Sequence, residues 1–595
     1  MKKLLTGNEA LARGAWEAGV HFASAYPGTP STEILENMTT YKEVYSEWAP
    51  NEKVALEAAI GASFAGGRSM ASMKHVGLNV AADPLFTFVY QGVNGGCVVI
   101  TADEPGQHSS QNEQDNRNYA IAAKMPMVEP STSQEAKDFM MEAFDISEKF
   151  DIPVLMRMTT RGCHSKGIVE CGDRKEVPIK EYHKDVTKYI TVPAMAKKMR
   201  IKLEDKLAKL LEYSETTPMN RIEDNGKKVG VVCSGMCYCF AKEVFGDTVN
   251  YLKLGFTNPL PEKMMKKFCT GLEKVYVIEE NDPILEHALQ RLGFNDIICG
   301  KNTFPKYDEL TSDVIRKCVT GKVLDSIDYD HKDIVNRPPA LCAGCPHRGF
   351  FYELGKRKNV MVSGDIGCYT LAFSAPYNAM DSNTCMGASF SSGHGAAKIF
   401  EKAGSPMRVV SVLGDSTFFH SGMTSLAECI YNNSKTVSVI LDNRITGMTG
   451  HQQNPGSGKL ADGKTDAIML DIEQICRALG AKNIRTIDPN NLKLVKETLD
   501  WALSLDEPSV IITKYPCVLK KFSEDDKAKF PDAYKTKDTV DKAKCIGCKM
   551  CLKSGCPALF LNREDKKAEI DPLQCVGCGV CEQICPKDAI GKETK

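Results

Sequence analysis

Short apolar runs alternate with helical segments along the first part of the chain. The runs HFASAY, GCVVITAD and IPVLMRM predict strands, and the segments NEALARGAWEAG and EKVALEAAIGASFAGG predict helices. Alternation of this kind favours a parallel sheet with helices on both faces. We therefore expect an α/β domain over residues 1–170.

The pattern then changes twice. Residues 171–225 are rich in Lys, Glu and Asp and have little apolar periodicity, which predicts a linker with a helical piece. Apolar runs resume at KVGVVCSG and VYVIEEND, and they predict a smaller α/β domain over residues 226–325.

A third α/β domain is predicted over residues 335–520, where the runs VMVSGDIG, RVVSVLGD and TVSVILDN are spaced by helical segments. Residues 521–540 are charged and poor in apolar side chains, so we expect a tether there. Residues 541–595 form a last, cysteine-rich stretch. The expected architecture is a multidomain α/β chain that ends in a small α+β domain.

The composition argues against some classes of partner. A chain of 595 residues is long enough for roughly four domains. Its formal net charge of −1 offers no basic surface for nucleic acid or for an anionic membrane. The sequence has neither a run of about eighteen apolar residues nor a signal-peptide pattern, so we expect a cytoplasmic protein.

Eight of the 24 cysteines fall in the last 51 residues, as CIGCKMCLKSGCP and CVGCGVCEQICP. A C-x-x-C-x-x-C run places three thiolates around one iron–sulfur cube, and the cysteine before proline ligates the cube of the other half. The pattern predicts two 4Fe-4S clusters with the ligand sets Cys545, Cys548, Cys551 and Cys585, and Cys575, Cys578, Cys581 and Cys556.

Zinc knuckles are the alternative for this tail, because C-x-x-C pairs also suit tetrahedral zinc. The two complete triplets and the lack of a nearby histidine favour clusters. Four residues rather than the usual three separate Cys551 from Cys556, which lengthens a loop without removing a ligand.

Two predicted strands of the third domain end in oxygen ligands. One ends at Gly414 and Asp415, and the next ends at Asp442 and Asn443. Open α/β sheets bind ligands at the carboxyl ends of their strands. This pairing resembles the thiamine diphosphate motif, and the resemblance implies that Gly414 contacts the cofactor. It also implies that Asp415, Asn443 and the backbone carbonyl of Ile445 ligate Mg²⁺, a cation that prefers hard oxygens. Ordinary turn residues are the alternative.

The first domain holds a candidate acid/base, Glu52, nine residues before Gly61 in an Ala- and Gly-rich helix. Thiamine enzymes carry a glutamate in such a place, where it hydrogen-bonds the aminopyrimidine ring and promotes the tautomer that activates the thiazolium. We expect such a carboxyl to be partly desolvated, so that its pKa rises toward neutrality. Glu57 is the competing candidate, and a surface carboxylate without a catalytic role is the other alternative.

Together these motifs resemble the 2-oxoacid:ferredoxin oxidoreductase family nearly from end to end. YPGTPSTE resembles the pyrimidine-domain signature, which implies that Thr29 faces the substrate or the thiazolium. CAGCPHR, GDIGCYTL and CMGAS resemble the diphosphate-domain signatures, and the last of these implies a cofactor contact at Gly387.

The resemblance assigns a type to each predicted domain. Residues 1–170 would be the pyrimidine-binding domain and residues 335–520 the diphosphate- and magnesium-binding domain, both built on parallel sheets. Residues 226–325 would be a transketolase-C-terminal-like α/β domain, and residues 541–595 a two-cluster ferredoxin-like α+β domain.

The segment ADEPGQHSSQNEQDNR resembles the members of this family that act on indolepyruvate and other aryl-2-oxoacids. Asp103 stands where pyruvate relatives carry an arginine that grips the substrate carboxylate, which argues against pyruvate. His108, Asn112 and His347 are candidate contacts of substrate or coenzyme, with ordinary structural roles as the alternative.

The resemblance also implies a third, proximal 4Fe-4S cluster beside the thiazolium, on Cys342, Cys345, Cys368 and Cys517. An electron that leaves a buried intermediate needs an acceptor before the tail, which favours such a cluster. The alternatives are loop thiols or, with His347, an incomplete zinc site.

The implied activity is the oxidative decarboxylation of aryl-2-oxoacids to aryl acyl-CoA and CO₂, with thiamine diphosphate as cofactor, CoA as co-substrate and ferredoxin as electron acceptor. We find no gamma-type domain in this chain, so the resemblance implies a smaller beta subunit that carries one, in an α2β2 assembly. The alternatives are another 2-oxoacid substrate, a non-oxidative decarboxylase, and an electron-relay subunit with a vestigial thiamine fold.

Overall fold

The computed structural model describes residues 1–324, 332, 334–335 and 337–592. The chain divides into two units, Met1–Asp328 and Tyr329–Lys595. The expected domain boundary at residue 325 and residues 593–595 of the expected C-terminal domain lie outside the described residues. None of the described helices combines the length and the apolar character needed to cross a membrane.

The first unit alternates strands and helices. Its strands are β1 (Lys2–Thr6), β2 (Phe22–Ala25), β3 (Tyr45–Trp48), β4 (Ser69–Lys74), β5 (Cys97–Asp103), β6 (Met127–Val128), β7 (Val154–Thr159), β8 (Lys166–Glu170), β9 (Arg221–Glu223), β10 (Val229–Ser234), β11 (Asn250–Leu254), β12 (Phe256–Asn258), β13 (Lys274–Ile278) and β14 (Ile298–Cys299). Its helices are α1 (Gly7–Glu17), α2 (Thr32–Met38), α3 (Glu52–Phe64), α4 (His75–Val80), α5 (Ala82–Gln91), α6 (Arg117–Ala123), α7 (Ser133–Phe150), α8 (Thr160–His164), α9 (Val186–Tyr189), α10 (Pro193–Ser214), α11 (Met236–Phe245), α12 (Glu262–Cys269), α13 (Ile284–Arg291) and α14 (Ser312–Thr320).

The larger sheet of this unit has the strand order β12-β6-β7-β5-β4-β2-β3, and only β12 runs antiparallel to its neighbour. The predicted strands at HFASAY, GCVVITAD and IPVLMRM are confirmed as β2, β5 and β7. Every residue of β5 and β7 is buried, as expected for parallel strands with helices on both faces.

A second sheet, β14-β13-β10-β11-β9, forms the smaller α/β part of the unit. The following strand, β12, does not join it. It pairs with β6 instead, and Glu129 N donates to Gly255 O at 2.7 Å beside this pairing. The region after residue 226 therefore completes the edge of the first sheet.

The stretch predicted as a linker with a helical piece, residues 171–225, contains the 22-residue helix α10. Pro193 occupies the first turn, where its missing N–H costs nothing. Met199, Leu203 and Leu210 form a buried stripe, and the two leucines join the core of the first sheet. The many exposed lysines and glutamates of this helix make its narrow apolar face difficult to recognise in the sequence.

The second unit carries the remaining elements. Its strands are β15 (Val360–Ser363), β16 (Arg408–Gly414), β17 (Thr436–Asp442), β18 (Asn483–Ile487), β19 (Ser509–Lys514), β20 (Asp538–Val540), β21 (Leu559–Leu561), β22 (Ala568–Ile570) and β23 (Ile590–Lys592). Its helices are α15 (His347–Leu354), α16 (Ala388–Lys402), α17 (Asp415–Thr417), α18 (Met423–Tyr431), α19 (Ile472–Ala478), α20 (Leu492–Ser504), α21 (Glu524–Lys529) and α22 (Val580–Ile584).

Its main sheet is parallel throughout, with the order β15-β16-β17-β19-β18. Gly414 lies opposite Leu441, and Asp442 lies opposite Lys514. The ends of the three central strands therefore meet at one edge, where an open sheet binds ligands. The C-terminal part adds two antiparallel ribbons, β20 with β23 and β21 with β22.

The stretch predicted as a tether, residues 521–540, is instead fastened to this unit. Asp526 is fully buried and forms ion pairs with Lys520 and Arg444. Arg444 also pairs with Asp525 at 2.6 Å. Buried ion pairs hold a segment whose low apolar content suggested a loose connection.

Candidate functional site

Glu52 is the first residue of α3, where the side chain of Asn51 caps the helix by accepting from Val54 N. The Glu52 side chain is 5% exposed and packs on Gly77 of α4, because a Cβ on Gly77 would lie 2.6 Å from Glu52 Oε1. Glu57 is exposed and paired with Lys53. The two candidate carboxylates thus differ in burial, since Glu52 is buried and Glu57 is exposed.

Two further charged groups, Lys74 and Glu104, lie at the carboxyl ends of neighbouring strands, and the sequence analysis missed both. Lys74 ends β4, and its Nζ lies 4.0 Å from a carboxylate oxygen of Glu104, the residue after β5. Burial lowers the pKa of Lys74, whereas the negative charges of Glu104 and Glu52 oppose that shift. Glu104 accepts hydrogen bonds from the hydroxyls of Ser109 and Ser110. Its position directly after a predicted strand is a signal that could have identified it.

Thr29 lies in the loop after β2, half-buried. Its neighbour Gly28 is against Lys74, since a Cβ on Gly28 would lie 3.1 Å from Lys74 Cδ. The YPGTPSTE loop, Lys74 and Glu52 therefore line one edge of the first sheet.

The other candidates of this unit lie in different surroundings. Asp103 is fully buried and accepts a hydrogen bond of 2.6 Å from Arg157 Nε, so it is part of an internal ion-pair network. Burial raises the pKa of Asp103 to about 6, although Arg157 opposes the shift. The His108 ring is largely exposed and lies 3.8 Å from Glu309, and the carbonyl of Asn112 is 3.1 Å from His75 Nε2.

The predicted oxygen ligands of the second unit lie at the ends of β16 and β17. Asp415, Asn443 and Ile445 are all buried, and Asn443 Oδ1 accepts from Ile445 N at 3.3 Å. Burial, together with the negative charge of Asp442, raises the pKa of Asp415 to about 8. Asn454, which the sequence analysis missed, donates from Nδ2 to Asp415 Oδ2 at 3.2 Å.

The two predicted glycine contacts flank this edge. Gly414 leaves room for Tyr369, whose Cε1 would lie 2.9 Å from a Cβ placed there. Gly387 has φ of +85° and donates from its backbone N to Asp365 Oδ1 at 3.0 Å. Burial raises the pKa of Asp365 to about 6, and this carboxylate orders the start of α16 by also accepting from Ser389 N.

Four cysteines predicted to bind a proximal cluster, which we call the proximal quartet, come together. They are Cys342, Cys345, Cys368 and Cys517. Burial, together with the nearby thiols of Cys517 and Cys342, raises the pKa of Cys368 to about 11. Burial and the thiols of Cys517 and Cys368 likewise raise the pKa of Cys345.

The proximal quartet borders the oxygen-ligand site. A Cβ on Gly447 would lie 3.6 Å from Asn443 Nδ2 and 3.8 Å from Cys368 Sγ. His451, another residue that the sequence analysis missed, has its Nε2 3.7 Å from Cys517 Sγ. His347 is buried against Tyr369, and burial lowers its pKa to about 4, so it stays neutral.

The eight tail cysteines line two cavities in the pairing predicted from the sequence. The outer quartet, lining one cavity, is Cys545, Cys548, Cys551 and Cys585. The inner quartet, lining the other, is Cys556, Cys575, Cys578 and Cys581. The two cavities are similar in size.

The thiols line these cavities. Among the described residues, no three His, Cys, Asp or Glu side chains converge on a single metal-ion position. A 4Fe-4S cube fits this arrangement, because each of its thiolates binds a different iron.

Comparisons with known proteins agree with this layout. Residues 13–217 match the family model described as pyruvate flavodoxin/ferredoxin oxidoreductase, thiamine diphosphate-binding. Residues 365–513 match the C-terminal TPP-binding domain of thiamine pyrophosphate enzymes, and residues 544–589 match a 4Fe-4S dicluster domain.

Similar proteins extend over the whole chain. Indolepyruvate oxidoreductase subunit IorA of Methanothermobacter thermautotrophicus is 42% identical, with 100% of this chain and 98% of the relative covered. Its namesake in Methanothermobacter marburgensis is 41% identical, with 99% and 97% covered. The chain belongs to this family.

Membership of the IorA family confirms the expected α/β multidomain fold, with thiamine-diphosphate-binding domains and a C-terminal iron–sulfur domain. The chain is thus an oxidoreductase subunit of the thiamine-dependent, ferredoxin-linked type. A solved 2-oxoglutarate:ferredoxin oxidoreductase from Magnetococcus marinus is 18% identical, with a TM-score of 0.45 over 54% of this chain and 65% of that chain.

Proposed function

We propose that this chain is the catalytic large subunit of an indolepyruvate:ferredoxin oxidoreductase. The reaction converts an aryl-2-oxoacid and CoA to an aryl acyl-CoA and CO₂, and the two electrons released reduce two ferredoxins. The observation that carries the proposal is the oxygen-ligand site at Asp415 and Asn443, which borders the proximal quartet. The names of the IorA relatives supply the substrate class.

The residues at the ends of β16 and β17 fit a magnesium-bound diphosphate. The carboxyl groups of Asp415 and Asp442 are buried close together, and a cation bound beside Asp415 would stabilise its ionised form. Asp415, Asn443 and the carbonyl of Ile445 would hold Mg²⁺, whose remaining ligands would be diphosphate oxygens. Thiamine diphosphate bound there supplies the nucleophile and the electron sink for decarboxylation.

In the first unit, Glu52 is the proposed acid/base. Its carboxyl would exchange a proton with the aminopyrimidine ring of the cofactor, and its close packing on Gly77 excludes water from one side. Thr29 would contact the cofactor or the substrate from the neighbouring loop. Lys74, held beside Glu104 and Glu52, would keep the local charge balanced.

The electron path that we propose begins at a 4Fe-4S cluster on the proximal quartet and continues to clusters on the inner and outer quartets. Gly344, between Cys342 and Cys345, lines the cavity of the inner quartet together with Arg348. The inner quartet is therefore the next acceptor, and the outer quartet, whose Cys548 is exposed, is the exit to ferredoxin. We also propose a smaller beta subunit as partner, an α2β2 assembly and a cytoplasmic location.

An anaerobic assay of the purified complex would test this function. The complex would be given CoA, ferredoxin and a panel of aryl, branched and short 2-oxoacids, and kcat/KM would be measured for each. We expect the arylpyruvates to have the highest kcat/KM, with formation of acyl-CoA strictly linked to reduction of ferredoxin. A preference for pyruvate or 2-oxoglutarate, or release of CO₂ without reduction of ferredoxin, would contradict the proposal.

A further inference from the structure

Arg348 connects the proximal quartet to the iron–sulfur tail. It lies in the first turn of α15, and its side chain is 1% exposed. Nε donates to Cys342 O at 2.7 Å, and Nη1 donates to Tyr377 Oη at 2.7 Å and to Ser554 O at 3.2 Å. One guanidinium thus bonds to the loop of Cys342 and to the loop that precedes Cys556.

The remaining nitrogen of Arg348, Nη2, is buried and has no hydrogen-bond partner among the described residues. The side chain lines the cavity of the inner quartet. The acceptors of this guanidinium, Cys342 O, Tyr377 Oη and Ser554 O, are all uncharged oxygens. An arginine cannot lose its proton in a protein, and a buried charge is normally paired. An anionic group bound in the cavity would therefore be stabilised by this charge.

A 4Fe-4S cube with four thiolate ligands carries net negative charge in both of its redox states. Reduction adds one electron to the cube, and the donor cluster loses that same electron. A buried positive charge beside the cube stabilises the more negative, reduced state, and hydrogen bonds to sulfur act in the same direction. The inner quartet is the only one of the two tail quartets whose cavity, as described, is lined by an arginine.

We propose that Arg348 is a positioning residue that raises the reduction potential of the inner-quartet cluster. The inference rests on the ligand assignment under the proposed function. It adds that this buried charge, which is bonded to the loop of Cys342, stabilises an electron on the inner cluster.

Other charges also lie around the two cavities. Asp538 lines the inner cavity, where its buried carboxylate accepts from Cys581 Sγ at 3.7 Å and opposes the effect of Arg348, and Lys592 lies 4.0 Å from this carboxylate. Lys549 and Lys587 line the outer cavity and are exposed, so water and salt screen them. Of the cationic side chains that line the two cavities, Arg348 is the buried one.

The test uses the complete complex, purified anaerobically, with redox titrations followed by electron paramagnetic resonance. Cys581→Ser first identifies the signal of the inner cluster as the one that is lost or altered. Arg348→Met then removes the charge while keeping a long side chain. We expect the reduction potential of the inner cluster to fall by about 59 mV. For a one-electron couple this corresponds to a roughly tenfold fall in the equilibrium constant for electron transfer from the outer to the inner cluster.

Two matched variants separate charge from packing. Arg348→Lys keeps a cation at this position, and Tyr377→Phe removes a hydroxyl that bonds to Arg348 and Ser554 but leaves the charge. Both should leave the inner potential closer to that of the wild type than Arg348→Met does. Lys587→Met should leave the inner signal unchanged.

An inner potential that stays at the wild-type value in Arg348→Met, with iron content retained, would overturn the inference. If Arg348→Met loses the inner cluster, the lysine variant decides: a wild-type potential supports the role of charge, and a strongly lowered one refutes it. A separate failure, in which Cys581→Ser changes no signal and no iron content, would refute the ligand assignment itself.

Discussion

Glu52 and Gly77 are in such close contact that a Cβ on Gly77 would lie 2.6 Å from Glu52 Oε1 and 2.7 Å from Glu52 Cγ. Any side chain at position 77 must displace the carboxylate that we propose as the acid/base. The proposed site therefore requires a glycine at this position.

Gly77→Ala should lower kcat for decarboxylation on the order of 10²-fold, because a misplacement of about 1 Å in a catalytic group can cost that much. Gly61→Ala is the matched control, since nothing lies within 4 Å of a Cβ on Gly61, in the same helix as Glu52. The control should keep full activity and gain up to about 1 kcal/mol of stability. Equal activity of the two variants would mean that the position of Glu52 does not matter.

Glu52→Gln should reduce CO₂ release by roughly 10²- to 10⁴-fold, the range that general acid/base catalysis contributes. The iron content and the iron–sulfur spectra should not change, because Glu52 is in the first unit and the cysteine quartets are in the second. Glu57→Gln, which alters the exposed carboxylate on the same helix, should have almost no effect on CO₂ release. Retained turnover in Glu52→Gln would remove this residue from the mechanism.

Cys368→Ser should remove about four iron atoms per chain if the proximal quartet binds a 4Fe-4S cluster. Iron and acid-labile sulfide, counted anaerobically against protein, give the measurement. Cys429→Ser is the control, because this thiol is buried in the same unit and donates to Phe390 O at 3.4 Å. An iron count that is the same in Cys368→Ser and in the wild type would exclude the proximal cluster.

Asn454→Ala should weaken thiamine diphosphate and Mg²⁺ binding by roughly 10- to 100-fold, the usual cost of losing a group that orients a metal ligand. Asn454 fixes Asp415 by a bond of 3.2 Å, and Gly456 N donates to Asn454 Oδ1 and thereby sets the orientation of the amide. Calorimetric titration of the cofactor into the apoprotein would measure the change. The control variant Asn432→Ala, which removes an amide that donates to Glu428 O on α18, should bind the cofactor normally.

Asp526→Ala should destabilise the second unit by about 3–5 kcal/mol, because it leaves Arg444 and Lys520 buried with less compensation. Burial alone would raise the pKa of Asp526, but Lys520 and Ser523 hold it below its ordinary value. The stabilisation is therefore present at neutral pH and is lost as pH falls through that lowered pKa. Urea unfolding at pH 7 would measure it, and Glu524→Ala, exposed on the same helix, should change stability by less than about 0.5 kcal/mol.

The central strands of the sheets could be predicted because they are buried on both faces. β5, β16 and β17 are continuous apolar runs, and their ends carry the polar residues that stood out at once. β3 was missed because it is a half-exposed edge strand with the mixed sequence YSEW. β12 has three residues and depends on a partner, β6, that is far away in the sequence.

The site shows the same division. Asp415, Asn443 and the tail cysteines follow fixed local spacings, so their grouping could be inferred from the sequence. Lys74 and Asn454 belong to no such motif and reach the site only through the packing of other elements. The pairing of Arg444 with Asp525 spans 81 positions, so no local pattern could have shown that the charged stretch is docked.

The pairing of β12 with β6 limits how this gene could be divided. A fragment that ended near residue 225, at the predicted end of the linker, would lack β12 and leave β6 with an open edge. Unpaired strand edges promote aggregation. A soluble fragment of the first unit must therefore continue beyond Asn258, and any natural split of the gene into separate chains would be expected to fall after that strand.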